Sequence, residues 1–332
     1  MAKNTTIFTL LRNFISEEEI KGILAEYDFE DTARKCDVPT LLAYLVGAAA
    51  FEWKSLRHAA DVASAQGLKS VDYSTLSKRL GELNYHIVKR IFDVIVGRLN
   101  RATRRKLKLK KDLLAIDSTT ITVGKTRLPW ALYHGERSGI KLHVSFTNST
   151  EMPLKVVETT GLKNDGPIGV KLEDKRFIIV ADRAYFSIDK ADRYAQTGQD
   201  FVIRLKENIH LNRKKSLKRA AVTGSNVIAD FTCIIGTTQK QTKKRHRVVE
   251  FVDYEGGLVR VVTNLLNVTA EEIAGMYKER WAIESFFRWI KQNLNVPVLF
   301  GTTENAVYSQ LFAALIAYVL FSADGRTQEK EL

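Results

Sequence analysis

Cysteine is nearly absent: Cys36 and Cys233 stand far apart, in no CxxC or Cys/His cluster, which excludes a disulfide framework and a cysteine-based zinc site. Proline is scarce at five residues, and no internal repeat or low-complexity tract interrupts the chain. Met1 to Leu11 lacks a basic segment followed by an apolar one, so no secretory signal is expected. The longest apolar run, Leu311 to Phe321, falls short of the roughly 20 residues that span a bilayer. These absences predict a soluble protein of a reducing compartment, the cytoplasm.

Acidic residues are also in deficit. Lys and Arg total 51 against 38 Asp and Glu, a net charge of +13 and a pI near 9.6. Such an excess favours a polyanionic partner such as nucleic acid, although ribosome-associated and membrane-surface proteins share it. At 332 residues and 45% apolar content, the chain has material for two domains or for one large domain with an insertion.

Residues 1–110 read as helical, with apolar spacing of three and four over Thr40 to Trp53, Ser55 to Gln66 and Asp72 to Leu83. Ser55 suits an N-cap and Gly67 a helix stop. Tyr73 to Leu83 carries Ser74, Thr75, Lys78 and Arg79 on one flank and Leu76, Leu80 and Leu83 on the other, after a helix and a glycine turn. That is helix-turn-helix grammar, with the polar flank as candidate DNA contacts; a helical bundle with a solvated face fits the pattern equally well. From Arg101 to Lys111, seven of eleven residues are basic, marking a boundary that either is simply solvated or tracks phosphates.

Strands alternating with helices follow, at Leu113 to Asp117, Lys141 to Thr147, Leu154 to Thr159 and Phe177 to Asp182, then a helix over Asp189 to Gln196 and a strand over Asp200 to Leu205. This predicts an α/β core, first part 111–206. Residues 207–264 are basic and β-rich, with a hairpin around Gly256-Gly257, and read as a β-rich insertion before the core resumes over 265–332.

Two apolar runs end abruptly in Asp117 and Asp182, as buried strands do at their C-terminal edge, where ligand sites gather. Either aspartate alone is equally a turn former or helix cap. Two alike, on neighbouring strands, repel unless a cation lies between them. A third carboxylate is expected on a helix opening at a Thr269/Glu272 capping box and continuing to about Leu294. At about 100° per residue, Tyr277, Arg280, Glu284 and Lys291 share an arc of roughly 60°, beside an apolar arc of Met276, Ile283, Phe286, Phe287, Ile290 and Leu294. A surface Arg280–Glu284 pair would also produce the first contact of that arc, but leaves Tyr277 and Lys291 unexplained.

Tyr277-x2-Arg280-x3-Glu284-x6-Lys291 resembles the YREK signature of bacterial insertion-sequence transposases with a DDE triad. Leu114-Ala-Ile-Asp117-Ser118-Thr119 looks like the first-aspartate motif, Lys141-x-His143 like a strand element after it, and Val180-Ala-Asp182-Arg183-Ala184-Tyr185 like the second-aspartate motif. The resemblance covers roughly 112–295. It implies an RNase H-like catalytic core with a β-rich insertion, preceded by an all-α N-terminal domain that binds DNA. It further implies a cut-and-paste transposase that recognises terminal inverted repeats, cleaves beside them and joins the 3′-OH ends to target DNA. Asp117, Asp182 and Glu284 would hold two Mg²⁺ ions, with Mn²⁺ as a substitute.

Arg280 and Lys291 are then expected on phosphate oxygens and Tyr277 on a backbone phosphate. Trp281, about 40° from Tyr277, is a candidate to stack on an unpaired base, or else packs against the insertion. Lys141 and His143 point to one side of their strand and are secondary candidates facing the site; Arg183 and Arg288 join them as DNA contacts. A DNA hairpin intermediate needs aromatic residues in the insertion, where only Phe231, Phe251 and Tyr254 occur. After a helix over Asn305 to Leu320 only a short polar tail follows; if the family's dimer contacts lie there, this chain is expected either to assemble differently or to pair as a homodimer through the N-terminal region and the bound DNA ends. The setting expected is the bacterial cytoplasm, with the nucleoid. The alternatives are a stand-alone nuclease of the same fold and a catalytically silent DNA-binding regulator.

Overall fold

Capping residues decide where the first helices begin. In the computed structural model, which describes residues 6–107, 111–217, 222–293 and 299–325, Thr6 caps α1 (Ile7–Phe14) and Ser16 forms a reciprocal capping box with Glu19 on α2 (Glu17–Glu26). Asp37 caps α3 (Val38–Ala50), Ser55 caps α4 (Leu56–Val62) and Asp72 caps α5 (Tyr73–Glu82). A 3₁₀ turn after α4 ends at Gly67, whose φ of 83° only glycine adopts without strain. α4 packs against α5 across this turn. α6 (Tyr85–Leu107) runs well into the basic stretch, so that stretch begins as helix and not as a linker. Residues 108–110, the side chains of 102–110, Leu294, the opening 1–5 and the polar tail 326–332 lie outside the described residues.

The strands are β1 (Leu113–Gly124), β2 (Arg137–Thr147), β3 (Met152–Thr160), β4 (Ile178–Ala181), β5 (Phe201–Arg204), β6 (Leu211–Ser216), β7 (Val227–Ile235), β8 (His246–Val252) and β9 (Leu258–Thr263). They form one mixed sheet in the order β3-β2-β1-β4-β5-β9-β8-β7-β6. β1, β4 and β5 run parallel, connected through α7 (Asp165–Leu172) and α8 (Ile188–Thr197); the remaining pairs are antiparallel. The β-rich stretch 207–264 therefore extends the same sheet, because β9 docks directly on β5. Arg247 locks this extension: its side chain is fully buried, donates to both Asp230 oxygens at 2.8 and 2.7 Å, and reaches the carbonyls of Leu265 and Val268.

Strand parity assigns the two faces. Ala115 packs with Ile283 and Phe286, and Val180 with Ile273 and Tyr277, on the face covered by α9 (Ala270–Lys278) and α10 (Trp281–Asn293). Ile116, Ile179 and Ala181 pack with Leu172 and Tyr194 on the α7/α8 face. The single helix expected from Thr269 onward is thus two helices. Arg280, Ala282 and Ile283 bond to carbonyls three residues back, tightening the backbone and breaking the α-helical phase at Glu279–Arg280.

α11 (Glu304–Asp324) is longer than the expected 305–320 and is apolar on all sides. By length and composition it meets the requirement for a membrane span, correcting the expectation drawn from Leu311 to Phe321. It lies instead against α3, α5 and α6, with 83% of its apolar window buried. Each of its interior Leu, Ile and Phe side chains contributes about 1.5–3 kcal/mol by leaving water, so this helix joins the N-terminal helices to the sheet through one core.

A candidate active site at the parallel strand pair

The register of β1 and β4 pairs Ile116 with Ala181, and each strand's next residue is an aspartate. Asp117 and Asp182 therefore leave the parallel pair side by side. β1 does not end there: it continues to Gly124 as a hairpin arm with β2, so the strand edge predicted at Asp117 is the point where β1 parts from the shorter β4. Both carboxylates are set on the α9/α10 face, since Asp117 follows the parity of Ala115 and Asp182 that of Val180.

Arg280, buried at the break between α9 and α10, joins two of the candidate carboxylates. Its Nη1 is 3.2 Å from Asp117 Oδ2 and its Nη2 donates to Glu284 Oε1 at 2.8 Å. Tyr277, also buried, donates to Asp182 Oδ1 at 3.4 Å, a long bond, and its ring lies under the guanidinium. The pattern Tyr277, Arg280 and Glu284 thus converges on the two aspartates, although a broken helix and not one continuous stripe delivers it. Burial first, then the charges of Asp182 and Glu284, push the Asp117 carboxyl up to about 6, against the pull of the Ser118 amide and Arg280. Burial and the Asp182 charge raise the Tyr277 phenol above its ordinary range.

Among the described residues no three Asp, Glu, His or Cys side chains stand close enough to hold one metal ion. The donor set nevertheless fits a hard divalent cation. Asp117, Asp182 and Glu284 carry oxygen donors of the kind such a cation takes, their mutual repulsion is visible at Asp117, and a guanidinium supplies the positive charge between two of them. Arg280 Nε is buried without a hydrogen-bond partner, so the pairing leaves this arginine incompletely satisfied.

The other predicted residues are placed as follows. Lys291 and Arg288 are exposed on α10, with no ion pair among the described residues. Trp281 is 45% exposed and meets the exposed Tyr254, from the β8–β9 turn, edge-on at 5.8 Å. Arg183 is half exposed, 3.7 Å from Glu207. Ser74 and Lys78 face solvent and Thr75 is half-buried, whereas Arg79 turns inward to Asp31 at 2.6 Å and to the Cys36 carbonyl. Lys141 and His143 share a side, as expected, but register with Thr120 and Ser118 puts them on the α7 face, opposite Asp117. His143 is fully buried there, which leaves it no surface for DNA.

Two residues beside the site were not among the candidate site residues, although Tyr185 closes the second-aspartate motif. Asp165, at the start of α7, accepts from Ser118 Oγ at 2.7 Å. Tyr185 is buried beneath α7, where a Cβ on Gly169 would meet its ring at 2.8 Å. A helix start of the form Asn164-Asp165-Gly166-Pro167 reads as capping, so nothing local marked Asp165 as part of the site.

Residues 108–320 match the family described as "Transposase DDE domain". A probable transposase for insertion sequence element IS5377 from Geobacillus stearothermophilus is 52% identical over 320 residues, covering 96% of this chain and 85% of that protein. A putative transposase, y4zB, from Sinorhizobium fredii is 34% identical over 241 residues, covering 71% of this chain and 66% of the relative. Among solved structures, the piggyBac transposase synaptic complex with hairpin DNA aligns at 14% identity and a TM-score of 0.49, over 98% of this chain and 76% of that one.

Proposed function

The chain belongs to the DDE-domain transposase family of insertion sequence elements, and from that premise we propose that it binds the inverted-repeat ends of its element, cleaves beside them and joins the ends to target DNA by a cut-and-paste route. The family uses divalent metal; here Asp117, Asp182 and Glu284 would hold two Mg²⁺ ions, with Mn²⁺ as a substitute. Bound ions of this kind activate a water or 3′-OH and stabilise the leaving oxygen of an in-line displacement. The observation that carries the reading is that one buried arginine joins Asp117 of β1 to Glu284 of α10, while Tyr277, three residues before it, holds Asp182 at the end of the neighbouring β4.

The chain's own residues do the rest. Arg280, drawn from Asp117 and Glu284 toward an incoming phosphate, offers a planar pair of donors matched to phosphate oxygens. Tyr277 braces Asp182 from the α9 side. Lys291 and Arg288, exposed on α10, track the backbone as point and fork charges, with Arg183 beside Asp182. Trp281 with Tyr254 presents an exposed aromatic pair for an unstacked base. Ser74, Thr75 and Lys78 on α5 meet the inverted repeat, and Arg79 holds that helix in place from within. We place the RNase H-like core at 111–206 and 265–332, with 207–264 as its β-rich insertion and 1–110 as the helical DNA-binding region. A homodimer pairs the two ends, in the bacterial cytoplasm.

The test is cleavage of a duplex carrying the element's ends, with Mg²⁺ or Mn²⁺ and with Glu284→Gln as control. Boundary cutting that disappears in Glu284→Gln is the expected result. End binding without metal-dependent cutting would indicate a regulator, and cutting with no preference for ends a nuclease.

A further inference from the structure

Directly behind Asp117, on the opposite face of β1, lies a polar cluster that the transposition chemistry above does not use. Asp165 is its centre. Its Oδ1 accepts from Ser118 Oγ at 2.7 Å and stands 3.4 Å from Lys141 Nζ and 3.3 Å from His143 Nδ1. Each partner is itself held: Lys141 donates to the Lys163 carbonyl at 3.0 Å, and His143 Nε2 is 3.0 Å from Thr159 Oγ1. Gathering a half-buried carboxylate and lysine around a fully buried histidine in a sheet-to-helix interface carries a desolvation cost that apolar side chains would not incur.

The connection to Asp117 runs through one residue. Ser118 donates its backbone N–H to Asp117 Oδ1 at 2.8 Å while its hydroxyl, on the other face, is anchored to Asp165. Asp117 Oδ1 is thereby fixed, and Oδ2 is left facing Arg280. β1 needs such a brace, because its pairing with β4 stops at Ile116 and Asp117 sits where the strand loses that neighbour.

We propose that Asp165 is a positioning residue for Asp117: anchored by Lys141 and His143, it holds Ser118 and so sets which oxygen of Asp117 is presented to a divalent cation. This rests on the reading of Asp117 as a cation ligand. Polar groups behind metal ligands orient them, and their loss weakens metal affinity by about 10–100-fold.

The experiment is Mn²⁺ titration of the full-length chain, followed through the electron paramagnetic resonance of free Mn²⁺, for Asp165→Asn, Ser118→Ala and Asp117→Asn. Thermal unfolding and end-duplex affinity are measured alongside. Asp165→Asn and Ser118→Ala are expected to raise the Mn²⁺ dissociation constant about 10–100-fold, with end affinity unchanged and end cleavage recovering at high Mn²⁺. Wild-type Mn²⁺ affinity in both variants, with Asp117→Asn impaired, overturns the proposal and assigns the cluster to packing alone. Wild-type affinity in Asp117→Asn as well overturns instead the assignment of Asp117 as a ligand. Should Asp165→Asn fail to fold, Ser118→Ala still decides, since it cuts the link to Asp117 and leaves Asp165 on Lys141 and His143.

Discussion

The two faces of β1 treat their carboxylates in opposite ways. On the α10 face, Asp117 is half-buried among like charges with one shared guanidinium, and its carboxyl rises to about 6. On the α7 face burial also penalises Asp165, but His143, Ser118 and Lys141 outweigh it and hold the carboxyl down at about 2. One face is a settled network; the other is short of positive charge. A surplus of carboxylate that the fold leaves uncompensated is the physical signature of a site completed from outside.

Removing charge from the unsettled face is expected to have the largest effect. Asp117→Asn should lower end cleavage by more than about a thousandfold, roughly 4 kcal/mol of barrier. It should leave the melting temperature unchanged or raise it, because the ionised form it removes is disfavoured by burial. Cleavage and melting measured on one preparation check both arms; a large loss of stability would mean that Asp117 belongs to a structural network like that of Asp165.

Arg280→Gln comes next. It strips the counter-charge from Asp117 and Glu284, and with Glu284 one-third exposed the cost should be about 2–3 kcal/mol, below that of breaking a fully buried pair. Divalent cation should restore the variant more than it stabilises the wild type, since it supplies the missing charge. Chemical unfolding with and without Mg²⁺ measures the difference, and an equal Mg²⁺ response in both proteins would break the assignment of the α10 face as the cation-deficient one.

pH separates the faces by sign. A raised carboxyl contributes stability that is complete below its unfolded value near 4 and is lost as pH rises through about 6, which is the Asp117 case. A depressed one contributes stability present above its unfolded value and lost as pH falls through about 2, which is the Asp165 case. Unfolding free energies across this range should show Asp117→Asn flattening the decline between pH 4 and 6 and Asp165→Asn flattening the acid limb. Exchange of those two effects would invert the comparison.

How much of this was legible beforehand follows the range of each signal. Asp117 and Asp182 stood out as candidates because each follows a short apolar run, although only β4 stops at its aspartate and β1 runs on to Gly124. Glu284 was legible through helical phase. The break at Glu279–Arg280 was not, since neither residue disfavours a helix and the tertiary fit of two helices on one sheet decides it. Lys141 and His143 were correctly given a common side but not the correct one, because parity within a strand says nothing of which face a neighbour's aspartate takes; that needs the pairing of His143 with Ser118. The joining of β9 to β5 likewise depends on an antiparallel contact between segments some sixty residues apart, beyond the reach of local pattern.

Tyr185 sits under α7 yet feels the carboxylates of both faces, and it gives the smallest expected effect. Its hydroxyl is buried without a well-formed hydrogen bond, and burial first, then the charges of Asp117, Asp165 and Asp182, raise its phenol against the pull of the Ser118 hydroxyl. An orphaned hydroxyl is a cost of about 1–3 kcal/mol that a well-fitting apolar group does not incur. Tyr185→Phe should therefore be neutral or stabilise the cation-free protein by up to about 1 kcal/mol, the ring remaining seated against Gly169. Loss of stability in the variant would place the hydroxyl in the settled network beside Ser118. Unchanged stability with slower end cleavage would place it in the unsettled one, engaged only once the charge on that face has been supplied.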